Sequence, residues 1–196
     1  MNTVISGAIL AGGRATRMGG DDKGLRQVAG HPLYWYAVQR LQPQVSNLHI
    51  IANRNLHSYA ESGFPVYPDS TPDFPGPLAG MLTALQHCPT EYVVCVPCDS
   101  PLLPRDLVAR FAQQIGDASC AIAHDGERAH PVFALLHRRL LPAISASLQQ
   151  GERRLMAFFQ QQHAVTVDFS DQAAAFVNVN TPYNCMMIES ELEKLE

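Results

Sequence analysis

The sequence predicts an α/β fold of three layers, with helices on both faces of a mostly parallel sheet. Two observations support this class. Short apolar runs rich in β-branched residues alternate with longer amphipathic stretches. The first and third runs, residues 3–10 and 92–97, are almost continuously apolar, which is typical of strands that are covered on both faces. Parallel strands that are joined by helices imply right-handed crossovers.

Each apolar run predicts one strand, and each amphipathic stretch predicts one helix. The strands are TVISGAIL at 3–10, LHIIA at 48–52, YVVCVP at 92–97, SCAIA at 119–123 and PVFALL at 131–136. The helices are 32–41, 77–87, 104–115, 138–149 and 152–161. A final helix is predicted over 183–195, directly after Thr181 and Pro182.

Length and composition narrow the class of protein. The 196 residues, 46% hydrophobic and 16% charged, suit one compact domain over 1–196. A net charge of −4 provides no overall basic field for nucleic acid or an anionic membrane. No apolar run approaches the roughly 20 residues that span a bilayer, and residues 1–10 lack a secretory signal's basic leader and cleavage site. Five scattered cysteines indicate reduced thiols, so we expect a cytoplasmic protein.

A glycine-rich segment, residues 10–24, follows the first predicted strand. Its glycines allow the backbone to approach a ligand and to point amides at phosphate oxygens. Arg17 and Lys23 would add positive charge. The segment matches neither a P-loop nor the GxGxxG dinucleotide motif. A mobile surface loop is the alternative, but the spacing of the two cations favours a phosphate site.

Two aspartates follow predicted strands or extended segments. Asp99 comes after YVVCVP, and Asp69 comes after Val66-Tyr67-Pro68. Carboxylates at such positions suit Mg²⁺, which takes one or two of them together with phosphate and water. The alternatives are a cap for the helix near Pro104 in the case of Asp99, and a turn residue in the case of Asp69.

Two later segments offer further polar groups. The turn Asp73–Met81 opens a helix with free amides that suit an anion or a polar ring edge, and a plain tight turn is the alternative. Val177–Pro182 places Asn178 and Asn180 on one face of an extended segment, where turn and capping roles are the alternative.

The ordered strings LAGG, RMGG, DKGL, GPLAG, DGER, GERR and NVNTP resemble the molybdenum cofactor guanylyltransferases, the MobA family of nucleotidyltransferases. The resemblance covers nearly the whole chain. It implies a Rossmann-like nucleotidyltransferase domain with an N-terminal nucleotide-binding part and a C-terminal molybdopterin-binding part. It further implies Mg²⁺ as cofactor and transfer of GMP from GTP to the terminal phosphate of Mo-molybdopterin.

The resemblance also implies roles for individual residues. The catalytic residues would be Arg17, Lys23 and Asp99, with Asp99 as the metal ligand. The nucleotide would contact Leu10, Ala11, Gly12, Gly13, Arg17, Lys23, Asn53, Asp69, Gly76, Gly80 and Asp99. The acceptor would contact Arg154, Asn178 and Asn180. His130, in the DGER-x-HP segment, is expected to support the structure rather than to catalyse.

One departure from the family leaves the choice of base open. Ile51 stands where relatives often carry an asparagine that contacts guanine, and Asn53 with backbone groups would have to compensate. Within the enzyme class, the alternatives are a CTP-dependent molybdopterin cytidylyltransferase and a sugar-phosphate nucleotidyltransferase. From a different class, the alternative is a non-catalytic protein that binds nucleotide or cofactor as a chaperone. The family implies the molybdate-insertion protein and molybdoenzyme-specific chaperones as partners.

Overall fold

The computed structural model describes residues 4–11, 22–71, 76–152, 154–179, 184 and 188–189. The strands are β1 (Ile5–Leu10), β2 (Gln27–Val28), β3 (His31–Pro32), β4 (Asn47–Ile51), β5 (Val66–Tyr67), β6 (Tyr92–Pro97), β7 (Cys120–His124), β8 (Ala129–His137) and β9 (Val165–Asp168). The helices are α1 (Leu33–Leu41), α2 (Leu56–Ala60), α3 (Pro77–His87), α4 (Leu107–Gln114), α5 (Leu141–Gln149) and α6 (Leu155–Gln161). Short 3₁₀ turns cover Lys23–Leu25, Gln42–Gln44, Arg138–Leu140 and Ser170–Phe176.

The described residues form a seven-stranded sheet in the order β5-β4-β1-β6-β8-β7-β9, and β2 pairs with β3 in a separate hairpin. In the large sheet only β8 runs against its neighbours, β6 and β7. The other neighbouring strands are parallel. The prediction of a mostly parallel sheet is therefore confirmed. β8 is antiparallel because a tight turn at 125–128 connects it to β7, and only antiparallel strands can be joined so closely.

Two apolar clusters cover the two faces of the sheet. Side chains alternate along β1, so Ile5 and Ile9 enter one cluster while Ala8 and Leu10 enter the other. The first cluster also contains buried side chains of α1, α2 and α4. The second contains those of α3, α5 and α6. The predicted three-layer arrangement is thus confirmed.

The five predicted strands are all present, with ends that shift by at most two residues. The predicted helix at 104–115 begins only at Leu107, and the one at 152–161 begins at Leu155. The sequence analysis missed β5, β9, α2 and the β2–β3 hairpin. These elements are short, and β9 lies at the sheet edge with partly exposed side chains, so they carry little apolar signal. Most of the predicted helix at 183–195 lies outside the described residues.

No helix in the described part of the chain is long and apolar enough to cross a membrane.

Candidate active site

The carboxyl ends of β1, β4 and β6 lie side by side. Leu10 pairs with Ile51 on one side and with Pro97 on the other. Beyond the strands, the Ala11 amide donates to the Ile51 carbonyl at 2.7 Å, and the Cys98 amide donates to the Leu10 carbonyl at 3.2 Å. The residues that follow these strands therefore share one edge of the sheet, which is where ligands bind in open α/β sheets.

Asp99 lies at this edge, directly after β6, and is only 8% exposed. Its Oδ2 is 3.8 Å from Lys23 Nζ, which is close enough for an ion pair but too long for a hydrogen bond. Burial raises the pKa of the Asp99 carboxyl above its usual range, while Lys23 and the residue's own amide oppose that shift. Asp99 does not cap the following helix, because α4 begins at Leu107. The carboxylate is thus desolvated and incompletely satisfied.

Lys23 is the first residue of the 3₁₀ turn Lys23–Leu25, which the sequence did not predict. Asp22 caps this turn, since its Oδ1 accepts a hydrogen bond from the Gly24 amide at 3.2 Å. The same Oδ1 accepts from the Tyr59 hydroxyl at 2.6 Å, and Oδ2 accepts from Asn55 Nδ2 at 3.1 Å. An Asp two residues before a glycine was the available sequence signal for the cap. Tyr59 and Asn55 carried no such signal, because their contact with Asp22 depends on the fold.

Asn53 and Asp69 form a reciprocal pair at the ends of β4 and β5. Asn53 Nδ2 donates to Asp69 Oδ2 at 2.7 Å, and the Asp69 amide donates to Asn53 Oδ1 at 2.7 Å. Asp69 Oδ1 is buried and has no hydrogen-bond partner among the described residues. Burial raises the pKa of the Asp69 carboxyl, and the bond from Asn53 opposes that shift. A buried acceptor without a partner costs about 1–3 kcal/mol, so a ligand donor would be stabilised there.

Gly80 allows α3 to pack closely against this pair. A Cβ at Gly80 would lie 3.1 Å from Leu10 Cδ2 and 3.6 Å from Asp69 Oδ1. Ile51 is 1% exposed and belongs to the apolar cluster that contains the buried side chains of α3. Its side chain therefore offers no hydrogen bond at the site. The polar side-chain groups of this region include those of Asn53 and Asp69.

Gly76 precedes α3 with φ of 93°, a conformation that favours glycine, and Pro77 occupies the first turn of the helix. Residues 72–75 of the same predicted loop lie outside the described residues.

The late segment 177–179 runs beside Asp99. The Val179 amide donates to the Asp99 carbonyl at 2.9 Å. The Ser100 hydroxyl donates to Asn178 Oδ1 at 2.8 Å, and Ser100 is fully buried. The fold thus brings Asn178 to the same edge as Asp99, although the two residues are far apart in sequence.

Comparison with known proteins identifies the family. Residues 7–166 match the family described as MobA-like NTP transferase domain. The chain belongs to this family. It is 55% identical over 191 residues, 97% of each chain, to a protein of Serratia proteamaculans named molybdenum cofactor guanylyltransferase. It is 49% identical over 178 residues, covering 90% of this chain and 87% of the other, to the protein of that name in Vibrio cholerae.

Solved structures agree with the family's fold. A molybdopterin-guanine dinucleotide biosynthesis protein A from Archaeoglobus fulgidus has a TM-score of 0.78 at 17% identity, covering 96% of this chain and 99% of that one. A 4-diphosphocytidyl-2C-methyl-D-erythritol synthase from Anaerococcus prevotii has a TM-score of 0.73 at 10% identity, covering 97% and 96%. At such low identity these likenesses show the nucleotidyltransferase fold alone.

This MobA-like domain also has a pocket of about 240 Å³ next to Asn178. The pocket is lined by Pro97, Arg128, Ala129, His130, Pro131, Val132, Phe133 and Asn178. His130 Nε2 lies 2.6 Å from Asp125 Oδ2, and the ring of His130 stacks on Phe176 with centroids 4.8 Å apart. These contacts hold His130 in place at the wall of the pocket.

Arg154 stands apart from the residues described above. It is the N-cap of α6, its side chain is 82% exposed, and its guanidinium pairs with Glu152 at 3.1 Å. The structure therefore does not bring Arg154 into contact with Asp99 or Asn178. Four further predicted site residues lie outside the described residues: Gly12, Gly13, Arg17 and Asn180.

Proposed function

We propose that the protein transfers GMP from GTP to the terminal phosphate of Mo-molybdopterin, forming molybdopterin guanine dinucleotide and pyrophosphate. The observation that carries this proposal is the 55% identity, over nearly the full length of both chains, to a protein named molybdenum cofactor guanylyltransferase. The buried Asp99 with Lys23 beside it, at the ligand-binding edge of the sheet, supports the proposal on physical grounds.

The proposed reaction needs positioning and charge neutralisation rather than a strong base. An oxygen of the acceptor's terminal phosphate forms a bond to the α-phosphorus of GTP, and the bond between that phosphorus and the bridging oxygen of pyrophosphate breaks. The acceptor oxygen is already anionic at neutral pH, so no proton must be removed. Lys23, Arg17 and the glycine-loop amides would hold the triphosphate in line with the acceptor.

Nucleotidyltransferases of this family generally use a divalent metal. Among the described residues, no three His, Cys, Asp or Glu side chains form a metal cluster. One carboxylate is nevertheless sufficient for Mg²⁺, because this ion takes most of its ligands from phosphate and water. Asp99 fits such a site, since its oxygens lie at the strand end without a hydrogen-bonded side chain among the described residues. When bound, Mg²⁺ would neutralise phosphate charge as pyrophosphate departs.

For the guanine base, we place Asp69 in contact with ring donors. Guanine presents an N–H and an amino group on one edge, and the unpartnered Oδ1 of Asp69 is an acceptor of the kind that edge requires. Asn53 keeps the carboxylate oriented through its two bonds of 2.7 Å. Gly76 and Gly80 would allow the backbone of α3 to approach the nucleotide.

For the acceptor, we place the pterin on the side of Asn178 and the pocket that it borders. The apolar walls from Pro97, Val132 and Phe133 suit a flat ring, while Asn178 offers both a donor and an acceptor. Asn180 and Arg154 belong to the same proposal from the family resemblance. The N-terminal part of the chain would thus bind the nucleotide and the C-terminal part the acceptor.

The setting of the reaction also belongs to this proposal. We infer a cytoplasmic enzyme that delivers its product with the help of the molybdate-insertion protein and molybdoenzyme-specific chaperones. The support for this inference is the family resemblance.

The deciding experiment incubates the purified protein with Mg²⁺, molybdopterin and each nucleoside triphosphate separately. Released pyrophosphate and nucleotide-modified pterin are then quantified. Product from GTP alone is the expected result, and it would show that Ile51 is tolerated. Product from CTP would indicate a cytidylyltransferase with the same mechanism. Tight GTP binding without pyrophosphate release would overturn the enzymatic proposal in favour of a cofactor-holding protein.

A further inference from the structure

Three hydrogen-bond donors from two parts of the chain converge on the Asp22 carboxylate. Its Oδ1 accepts from the Tyr59 hydroxyl at 2.6 Å and from the Gly24 amide at 3.2 Å. Its Oδ2 accepts from Asn55 Nδ2 at 3.1 Å. Asp22 therefore ties the turn that carries Lys23 to the start of α2, across the edge of the sheet.

The Asn55 side chain bonds to Asp22 instead of capping a helix. It stands at the N-cap of α2, where asparagine commonly caps the helix through its side chain, yet no side-chain cap bond is present. Its φ of 50° lies in the left-handed region, which asparagine tolerates better than most residues. The left-handed backbone conformation of Asn55 therefore accompanies a side chain that contacts Asp22 rather than the amides of α2.

At Gly24 the turn packs closely against α2 and the end of β6. A Cβ at this position would lie 2.3 Å from the Tyr59 hydroxyl oxygen and 3.2 Å from Cys98 Sγ. Cys98 is the residue before Asp99. The turn therefore packs against the Tyr59 phenol, which bonds to Asp22, and against Cys98, which precedes the buried Asp99.

The Tyr59 hydroxyl is a permanent donor in this arrangement. Tyr59 is fully buried, and burial, with the nearby Cys98 and Asp22, raises the pKa of its phenol well above the usual range. The hydroxyl is therefore protonated near neutral pH and donates to the Asp22 carboxylate.

We propose that Asp22, held by Tyr59 and Asn55, is a positioning residue that places the Lys23 ammonium beside Asp99 for triphosphate binding. Lys23 Nζ lies 3.8 Å from Asp99 Oδ2, and the Lys23 side chain is 39% exposed. Because the contacts of Asp22 fix the backbone of the turn, the Lys23 side chain starts from a fixed point beside the strand end that carries Asp99. This inference rests on the proposed function in that it takes Lys23 as a contact of the nucleotide phosphates.

The test is a double-mutant cycle between Tyr59→Phe and Lys23→Met, with GTP and Mg²⁺ as ligands in calorimetry. Losing one hydrogen bond to a charged group is expected to weaken GTP binding about tenfold in the wild-type background. In the Lys23→Met background, Tyr59→Phe should change the dissociation constant by about twofold or less, because the positioned group is gone. In turnover, kcat/KM for GTP should fall while KM for the pterin stays unchanged.

Tyr34→Phe is the matched control. Tyr34 is buried in the same cluster and packs edge-on against Tyr59, with ring centroids 5.0 Å apart, but has no bond to Asp22. It should bind GTP as the wild type does. If Tyr59→Phe proves too unstable to purify, Asn55→Gly removes the second donor and suits the positive φ at that position.

Equal losses from Tyr59→Phe in both Lys23 backgrounds would overturn the positioning role, and so would equal effects of Tyr59→Phe and Tyr34→Phe. Neither result bears on the reaction itself. The proposed function fails on a different measurement, namely the absence of nucleotide-modified pterin when the wild-type protein is supplied with GTP. Because Lys23 would contact phosphates rather than the base, the cycle gives the same answer with CTP if CTP is the true substrate.

Discussion

Asp99 and Asp125 both follow strands of the sheet at the same edge, and 12% of each side chain is exposed, yet their hydrogen-bond partners differ. Asp125 is saturated: Oδ1 accepts from the amides of Glu127 and Arg128 at 2.9 and 2.8 Å, and Oδ2 contacts His130 at 2.6 Å. Asp99 has a lysine at 3.8 Å and its own amide.

The pKa shifts of these two carboxyls have opposite directions for this reason. The hydrogen bond from His130, followed by those from backbone amides, holds the pKa of Asp125 well below its usual range. Burial raises that of Asp99. A carboxylate that completes a turn has all its partners within the protein, whereas one that receives a ligand keeps part of its bonding capacity unused. On this comparison we propose a structural role for Asp125 and a functional role for Asp99.

The largest effect is expected from Asp99→Ala, which should abolish turnover, with a loss of at least about 10³-fold, because no other described carboxylate could replace it beside Lys23. Asp99→Asn should also be inactive and should raise the melting temperature of the ligand-free protein, since it removes the cost of burying a charge. Pyrophosphate release and thermal unfolding measure the two effects. Near-normal turnover by Asp99→Ala would refute the metal assignment.

Asp125→Ala should reduce stability more than turnover, the reverse of what we expect for the Asp99 variants. Losing the bonds to two amides and to His130 should lower the free energy of unfolding by about 2 kcal/mol. Turnover per folded molecule should fall only a few-fold, through a looser pocket wall at His130. Urea unfolding and GTP-dependent turnover at saturating pterin check this prediction. A complete loss of turnover with unchanged stability would reverse the roles that we give to the two aspartates.

Protonation of the two aspartates should affect different properties, namely stability in the case of Asp125 and turnover in the case of Asp99. Because the folded-state pKa of Asp125 is depressed, its stabilisation is present above the unfolded pKa near 3.9 and is lost as the pH falls towards the folded value. Because the pKa of Asp99 is raised, this residue takes up a proton at a pH above about 3.9, and kcat/KM should decline there first.

The measurement is a pH profile of kcat/KM beside urea unfolding at the same pH values. We expect activity to fall before stability does as the solution is acidified. Coincident loss of activity and structure would mean that the Asp99 carboxyl does not limit turnover in acid.

Arg154→Ala should have the smallest effect. It tests an ion pair on the surface, in contrast to Asp99 beside Lys23 and to Asp125 beside His130. Arg154 pairs with Glu152 on the surface, and exposed pairs of this kind contribute little to stability. We expect an unchanged melting temperature and a KM for the pterin that rises about 3- to 10-fold if the guanidinium contacts the acceptor, the range of one weak charge-assisted bond. Glu152→Ala, which frees the guanidinium, is the matched control. An unchanged KM in Arg154→Ala would remove this residue from the acceptor site.

Much of the fold was predictable because apolar periodicity is strong in the central strands. β1 and β6 are buried on both faces, and their apolar runs identify them directly. The starts of α4, α5 and α6 were less accurate. Polar residues in a 3₁₀ turn, as before α5, or at an N-cap, as before α4 and α6, resemble those of a helix. β5 and β9 were missed because very short or edge strands are stabilised by their neighbours rather than by their own composition.

For the site, the sequence by itself determined which chemical groups are available and that they follow strands. Lys23, Asp69 and Asp99 were identified in this way, since glycine-rich turns and strand-end carboxylates are local patterns. Only the tertiary structure decided which groups meet. Asn53 with Asp69, Ser100 with Asn178, and Tyr59 with Asp22 are pairs that strand order and helix packing bring together. Asp125 forms its hydrogen bonds with residues at most five positions away, whereas the burial of Asp99 depends on what the rest of the chain places around the end of β6.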